Sequence, residues 1–438
     1  MIGGFQNIPK IPELKKRIIF TCLMLLVYRL GCHIPTPGVD ATAMKAYFDQ
    51  LSGSGNLVGM FNMFSGGSLR RMSVMALGIM PYITASIILE LMSVVVPYIE
   101  KLKKEGEQGR KKIIQYTRYG TVILSAIQGF GIALMLENKT FSGVPVVVMG
   151  TWEFRLLAVI TLTAGTAFLM WLGEQITERG IGNGISLIIF SGIVAQFFPG
   201  VFNVLEYIRI DQLSIFTMII VIALMIFVLG FIVFVERAQR RIPVQYAKRV
   251  VGRKMYGGQS THLPLKINTS GVIPPIFASS ILMFPVTIAS YMDTEKIPWL
   301  NAIITNLNSG GIVYNALYVI FIIFFCYFYT AVHFNPIDVA DNMKKYGGFI
   351  PGIRPGKNTA EYIDRILTRI TFGGAIYVSF VCILPSILVS KLNMPFYYGG
   401  TSLLIVVGVA MDTASQIESH MLIRHYDGFM KTGLARNK

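Results

Sequence analysis

The chain has 438 residues, a net charge of +16 and a hydrophobic fraction of 53%, while only 14% of its residues are charged. A soluble domain carries about a quarter charged residues, so this composition excludes an ordinary soluble protein and indicates a membrane protein. A charge of this size would indicate nucleic-acid binding in a soluble protein, but here the placement of the basic residues explains most of it.

Ten apolar stretches follow one another along the chain, each long enough to cross about 30 Å of hydrocarbon as a helix. Most of the 39 Lys and Arg residues lie in alternate gaps between these stretches and in the two ends. Because cytoplasmic loops are enriched in Lys and Arg, both termini and these gaps are predicted to face the cytoplasm. The stretches, numbered as spans one to ten, are 18–36, 74–98, 117–136, 151–172, 181–201, 213–235, 271–291, 312–334, 366–390 and 401–422.

The predicted fold is an all-α membrane protein made of two inverted halves. Ten spans divide as five plus five, and a half with an odd number of spans returns inverted in the membrane. The N-terminal half is residues 1–200 and the C-terminal half is residues 201–438, with a hinge in the gap after span five. The glycines at the start of span five and the prolines of span seven predict that both spans are central, because backbone groups freed by Gly or Pro find no partner in lipid.

The segment before span two, residues 56–78, is apolar but too short and too rich in glycine to cross the membrane. It is predicted to fold back from the outer side as a short re-entrant helix from Leu57 to Phe64 that ends at Gly66-Gly67. The alternative is an interfacial helix on the outer leaflet.

Two long basic loops are predicted on the cytoplasmic side, at 236–266 and 334–369. The first alternates apolar and polar residues and turns at Gly252, which predicts a projecting hairpin with Lys248, Arg249, Arg253 and Lys254 at its tip. In the second, the prolines and glycines of IPGIRPG hold Arg354 on a stiff turn. The alternative is that both loops only set the topology.

Seven long motifs, in order along residues 13 to 430, resemble the SecY family of protein-translocation channels, and its bacterial members most. They are GIMPYITASII (78–88), KKEGEQGRKKIIQYTRYGT (103–121), LGEQITERGIGNGISLIIFSGIVA (172–195), QYAKRVVGRKMYGGQSTHLPLKIN (245–268), GVIPPIFASSI (271–281), GGFIPGIRPG (347–356) and YYGGTSLLIV (397–406).

The resemblance implies a clamshell of spans one to five and six to ten around an hourglass pore. It implies a pore ring at the waist, which carries over to Ile79, Ile83, Ile185, Ile189, Ile276 and Ile405. The re-entrant segment becomes a plug at about 57–70, with Leu57, Met60, Phe61, Met63 and Phe64. A lateral gate between spans two and seven carries over to Thr84, Ser86, Ile87, Glu90, Phe277, Ser279, Ser280 and Met283. Hydroxyl bonds between the two gate helices are expected to be weak enough to break on opening.

The resemblance also implies the surroundings of the channel. The partners are SecE and SecG subunits, the SecA motor ATPase, the ribosome through its rRNA phosphates, signal peptides, nascent polypeptides and membrane lipid. The docking residues for motor and ribosome are Lys248, Arg249, Arg253, Lys254 and Arg354. The expected location is the bacterial cytoplasmic (inner) membrane, and no covalent chemistry, cofactor or metal is expected.

Two residues depart from the family pattern, and two other functions stay open from the residues alone. Glu90 stands where the family usually has an uncharged polar residue, and Pro275 stands where alanine is common. The strongest alternative is an ion-coupled secondary transporter with Glu90, Glu174 and Asp412 as coupling carboxylates. An intramembrane enzyme is a weaker alternative, because the chain has no HExxH or GxSxG motif.

Overall fold

Each of the ten predicted spans overlaps one long helix. The computed structural model describes residues 11–51, 62–137, 140–141, 144–210, 215–246, 249–251, 254–256, 260–290, 311–392 and 400–435. The ten helices are α1 (Pro12–Gly31), α3 (Met80–Val95), α5 (Glu107–Glu137), α6 (Thr151–Arg179), α7 (Gly184–Arg209), α8 (Ile215–Arg237), α9 (Ile273–Ser290), α10 (Ile312–His333), α12 (Lys357–Leu392) and α13 (Gly400–Ala435). Three shorter helices are α2 (Ala41–Leu51), α4 (Pro97–Lys104) and α11 (Pro336–Lys345).

Six helices of the described residues are long and apolar enough to cross a membrane, and the bent pair α3–α4 makes a seventh. Two further apolar segments are shorter, Gly184–Phe197 within α7 and Ile273–Leu282 within α9. The remaining helix, α1, carries Glu13 and Arg17 in its first turns and Arg29 near its end. The described part of the chain is therefore an all-α multi-span membrane protein. The three long helices that do not qualify as full spans are α1, which carries charged residues, and α7 and α9, whose apolar segments are short.

The helix of span two is shorter than the stretch predicted from hydropathy. Residues 65–79 form a series of turns, and α3 begins at Met80 with Pro81 in its first turn. The helix ends at Val95, and α4 leaves at an angle of 99°. Pro97 explains the break, because it has no N–H with which to continue the hydrogen bonding of α3.

Gly180 and Gly182 of the GIGNG motif lie in the turn between α6 and α7, and Gly184 is the first residue of α7. A side chain at Gly184 would collide with the carbonyl of Gly173, so the two helices approach closely at this turn. The Asn183 side chain caps α7 by accepting hydrogen bonds from the backbone N–H groups of Ile185 and Ser186, at 3.1 and 3.4 Å.

The two loops predicted to be cytoplasmic share one small sheet. Strand β3 (Gln239–Tyr246) pairs antiparallel with β6 (Ser260–Lys266) and, on its other edge, with β7 (Gly348–Phe349) of the second loop. Strands β4 (Arg249–Val251) and β5 (Lys254–Tyr256) pair beyond them, so the predicted hairpin is present. A separate apolar core supports the sheet, formed by Ile242, Leu265, Ile350, Ile363 and Ile366. On the opposite side, β1 (Thr140–Phe141) and β2 (Val144–Pro145) form a short hairpin.

Candidate functional site

The six isoleucines carried over as a pore ring belong to one apolar cluster. Five of them are at most 8% exposed, and Ile185 is partly buried against the same cluster. They come from both halves of the chain: Ile79 and Ile83 at the start of α3, Ile185 and Ile189 on α7, Ile276 on α9, and Ile405 on α13. The structure therefore brings together branched apolar side chains from four helices.

The end of the re-entrant segment lies in the same cluster. Met63 and Phe64 are 5% and 2% exposed and belong to the same apolar cluster as the six isoleucines. The hydroxyl of Ser402, on α13, lies 3.2 Å from the sulfur of Met63, so the segment contacts the C-terminal half. The other plug residues of the prediction, Leu57, Met60 and Phe61, lie outside the described residues.

Two glycines end the helical turn at residues 62–64, as the sequence predicts. Gly66 and Gly67 have positive φ values of 68° and 84°. Their N–H groups donate to the carbonyls of Met63 and Asn62 at 3.1 and 2.8 Å, which is the Schellman arrangement for closing a helix. Only glycine adopts such a conformation without strain, so the end point of this turn is defined by the sequence.

Side chains of α1 and α7 hold the backbone that follows this turn. Three donors reach its carbonyls: Arg29 Nη1 to Gly66 at 3.0 Å, the Tyr28 hydroxyl to Ser65 at 3.4 Å, and Gln196 Nε2 to Asn62 at 3.3 Å. The sequence reasoning did not find these residues. The available signal was Arg29 itself, because a charged residue within an apolar span usually has a functional partner.

Helix α7 approaches the same backbone closely at a glycine. A Cβ atom added to Gly192 would lie 3.2 Å from the Cα atom of Gly66 and 3.2 Å from the hydroxyl of Tyr28. This spacing is tighter than ordinary van der Waals contact, so a larger residue at Gly192 would displace the segment.

The predicted gate helices α3 and α9 contact each other. Ile87 on α3 and Phe277 on α9 are 2% and 7% exposed and belong to the apolar cluster, while Thr84 and Ser86 are partly buried. The Phe277 ring packs edge-on against Phe325 of α10 with their centroids 5.7 Å apart. The side chain of Met283 lies outside the described side chains.

Three of the gate hydroxyls bond within their own helices, which is contrary to the expected bonds between helices. Thr84 donates to the carbonyl of Met80 at 3.1 Å. Ser279 and Ser280 both donate to the carbonyl of Ile276, at 2.9 and 2.7 Å. A Ser or Thr side chain in a helix reaches the carbonyl three or four residues before it, and this local bond competes with one across a helix interface.

Glu90 has a partner that the sequence did not indicate. Its Oε1 lies 2.9 Å from Nε2 of His333, the last residue of α10. The side chain of Glu90 is 19% exposed and that of His333 is 48% exposed. The His333 ring also packs on Tyr329, with their centroids 4.0 Å apart.

The predicted docking residues are placed only in part. Arg354 is exposed on a turn between Gly352 and Gly356, whose φ values are 81° and 105°. Its carbonyl accepts a hydrogen bond from the Thr359 hydroxyl at 3.0 Å, and Ile350 just before the turn is buried. Of the hairpin residues, Arg249 begins β4 and Lys254 begins β5, while Lys248 and Arg253 lie outside the described residues.

The three carboxylates of the transporter hypothesis have different surroundings. Arg118 of α5 forms a bidentate pair with Glu174 of α6, with N–O distances of 2.8 and 2.6 Å. Glu90 is paired with His333. Asp412 lines a polar cavity of about 740 Å³, where Glu236, Lys266, Asn268 and Gln416 also lie. Among the described residues, no group of three or more His, Cys, Asp or Glu could hold a metal ion.

Comparison with known proteins decides the family. The SecY family model matches residues 73–414. The protein translocase subunit SecY of Escherichia coli K12 is 52% identical over 420 residues, which are 96% of this chain and 94% of that protein. The SecY subunit of Vibrio cholerae is 50% identical over 423 residues, with the same shares of the two chains. This chain belongs to the SecY family.

Solved structures of protein-conducting channels share this fold over 94% of the chain. A protein-conducting channel with 18% sequence identity has a TM-score of 0.67 and covers 94% of this chain and 96% of its own. Sec61 in the canine ribosome-channel complex has a TM-score of 0.63 at 17% identity, with the same coverage. The all-α, multi-span architecture predicted from the sequence is thereby confirmed.

Proposed function

We propose that this chain is the pore-forming subunit of a protein-conducting channel. It passes unfolded secretory polypeptides across the bacterial cytoplasmic membrane and releases apolar segments sideways into the bilayer. The observation that carries this proposal is the uncharged isoleucine cluster at the meeting of the two halves, with the plug residues Met63 and Phe64 packed into it.

The cluster explains how such a channel holds back ions while it is closed. A narrow ring of apolar side chains sheds water, and ions do not cross a dewetted constriction. Because the ring carries no charge, it shows no preference among the side chains of a passing polypeptide. The buried plug residues add a second barrier on the outer side of the ring.

The contact between α3 and α9 serves as the lateral gate. Because Thr84, Ser279 and Ser280 bond within their own helices, opening breaks no hydrogen bond of these hydroxyls. A chain exposed to lipid at this seam partitions by hydrophobicity. A leucine gains about 0.3–0.6 kcal/mol in the bilayer, while a central lysine or aspartate costs about 2.5–3.5 kcal/mol. Segments with many leucines therefore enter the membrane, and charged segments continue across it.

Crosslinking of a translocating chain tests the proposal. A photoreactive amino acid is placed at Ile83, Ile189 or Ile405, and a secretory precursor is stalled halfway through export. All three positions are expected to crosslink to the precursor. The matched control is Ile226 of α8, which is 65% exposed on the outer surface of the bundle and is expected to crosslink to lipid only. Crosslinks to the precursor at Ile226 but at none of the three ring positions would contradict the proposal.

The proposed partners follow from the family and from the cytoplasmic surface. SecE and SecG complete the channel, and the SecA ATPase or the ribosome supplies the energy. Both bind the cytoplasmic sheet through the β4–β5 hairpin and the exposed Arg354 turn, and the ribosome is bound through rRNA phosphates without base readout. Both termini lie in the cytoplasm, since the basic loops carry most of the positive charge.

The transporter hypothesis has less support. A coupling carboxylate must exchange an ion or proton during each cycle, but Arg118 holds Glu174 in a bidentate pair within one half of the chain. A bidentate arginine–carboxylate pair constrains the geometry of the carboxylate. Relatives at about 50% identity over 96% of the chain are translocase subunits.

A further inference from the structure

The hydrogen-bonded pair of Glu90 and His333 joins the two halves of the chain. Glu90 lies in the last two turns of α3, on the gate side of the N-terminal half, and His333 ends α10 of the C-terminal half. The described ion pairs of Lys and Arg each stay within one half: Arg17–Glu13, Lys104–Glu100, Arg118–Glu174, Arg155–Glu137 and Lys357–Glu361. The Glu90–His333 pair is thus placed to resist separation of the halves.

The Glu90–His333 pair lies close to the contact between α3 and α9, which we call the gate seam. The seam between α3 and α9 is packed by Ile87, one helical turn before Glu90, and by Phe277. Phe277 in turn packs edge-on against Phe325 of α10, the helix that carries His333. Helices α3, α9 and α10 therefore form one packed unit, and the Glu90–His333 pair lies at its cytoplasmic end.

We propose that Glu90 and His333 form a latch that holds the lateral gate closed at its cytoplasmic end. This inference rests on the proposed channel function. Nε2 of His333 lies within hydrogen-bond distance of Glu90 Oε1, at 2.9 Å, and the His333 ring packs on Tyr329. A carboxylate at this depth is costly without a partner, so the closed gate is the state in which Glu90 is satisfied. Opening moves α3 away from α10 and breaks the bond.

The expected phenotype is a gain of function. Glu90→Gln and His333→Gln each weaken the latch and therefore lower the free energy needed to open the gate. Export of a precursor with a defective signal peptide is expected to rise about fivefold or more relative to export of the intact precursor. A variant that merely folds badly would lose export of both precursors, so the ratio separates a latch from a structural role.

The double variant and a matched control test the pairing itself. Combining Glu90→Gln with His333→Gln is expected to raise the ratio no further than the larger single effect, because both remove the same bond. The exchange Glu90→His with His333→Glu is expected to restore the wild-type ratio. The control is Glu100→Gln, which breaks the 2.6 Å pair with Lys104 on the neighbouring α4 and is expected to leave the ratio unchanged. Additive single effects, or the same rise for Glu100→Gln, would overturn the latch.

A second measurement reports the gate geometry without transport. Cysteines are placed at Thr84 and Phe277 in a background in which the four native cysteines are replaced, and the rate of oxidative crosslinking is followed in resting membranes. The latch predicts slower crosslinking when Glu90→Gln is added, because the seam is closed for a smaller fraction of the time. An unchanged rate would overturn the latch, whereas failure of the wild-type chain to export an intact precursor would count against the channel function.

Discussion

The side chain of Arg29 connects the first helix, α1, to the plug segment by a hydrogen bond. Its guanidinium donates to the carbonyl of Gly66, in the turn that follows the buried residues Met63 and Phe64. Gly66 has a left-handed backbone conformation that ends the helical turn, so its carbonyl receives no hydrogen bond from a following helical N–H group. Arg29 therefore stabilises the resting position of the segment by satisfying that carbonyl.

Removal of this bond is expected to loosen the plug. A hydrogen bond from a charged donor contributes about 1.5–3 kcal/mol, and 1.4 kcal/mol corresponds to about tenfold in a population. Arg29→Gln is therefore expected to raise the ion conductance of resting proteoliposomes about tenfold. Arg155→Gln is the matched control, because Arg155 pairs with Glu137 and packs over Trp152, away from the plug. Equal conductance of Arg29→Gln and the wild type would contradict the anchoring role.

The residues of the site differ in how far the sequence could predict them. The six isoleucines follow from motif resemblance, and nothing in their own spacing separates them from other apolar residues of a membrane helix. The partner of Glu90 lies 243 positions away along the chain. A partner at that distance depends on how α10 packs beside α3, which hydropathy does not determine.

At the scale of elements, hydropathy located the ten long helices but not their ends, and it did not predict the short helices α2 and α11. The stretch 74–98 is uniformly apolar, yet α3 begins only at Met80, because Gly78 with a φ of 59° and the turns before it redirect the chain. The opposite error occurs at α13, which continues to Ala435 beyond the apolar stretch. Helix ends are determined by capping and turn residues. The length of an apolar stretch reflects only how many residues are buried in lipid or protein.

The gate helices must separate for the proposed function. A disulfide between cysteines at Thr84 of α3 and Phe277 of α9 is expected to abolish export and membrane insertion, since a fixed seam excludes the signal peptide. Export is measured before and after reduction, and reduction is expected to restore it. The control pair is placed at Gln115 and Tyr119, whose side chains already contact each other within α5. Normal translocation by the crosslinked channel would show that the gate does not lie between α3 and α9.

At the scale of the whole molecule, the loops predicted to be cytoplasmic form a separate layer with its own apolar core. The sheet of β6, β3 and β7 carries the exposed Arg354 turn at one edge. Its core residues are distinct from the cluster of the membrane helices. Substitutions of exposed residues in this layer are therefore expected to affect docking without affecting assembly of the membrane part.

Arg354→Glu tests the docking proposal. Reversal of this charge is expected to reduce motor-driven export at least tenfold while the chain still inserts and assembles in the membrane, because Arg354 is exposed and supports no packing. Export by SecA in proteoliposomes is measured as a function of motor concentration. Lys357→Glu, three residues further along the same loop, is the control and is expected to retain most activity. Unchanged export by Arg354→Glu would refute the docking role.

The connections of the cytoplasmic sheet give it a mechanical consequence. Strand β3 starts two residues after α8 ends, and β6 leads through residues 267–272 into α9. Strand β7, a few residues before Arg354, is bonded to β3 through Gln245 and Tyr246. A force applied by a motor at the Arg354 turn would be transmitted through the paired strands β7, β3 and β6 to the first turn of α9. The motor movement that pushes a precursor into the pore would then also displace α9, one of the two helices of the proposed gate through which apolar segments leave.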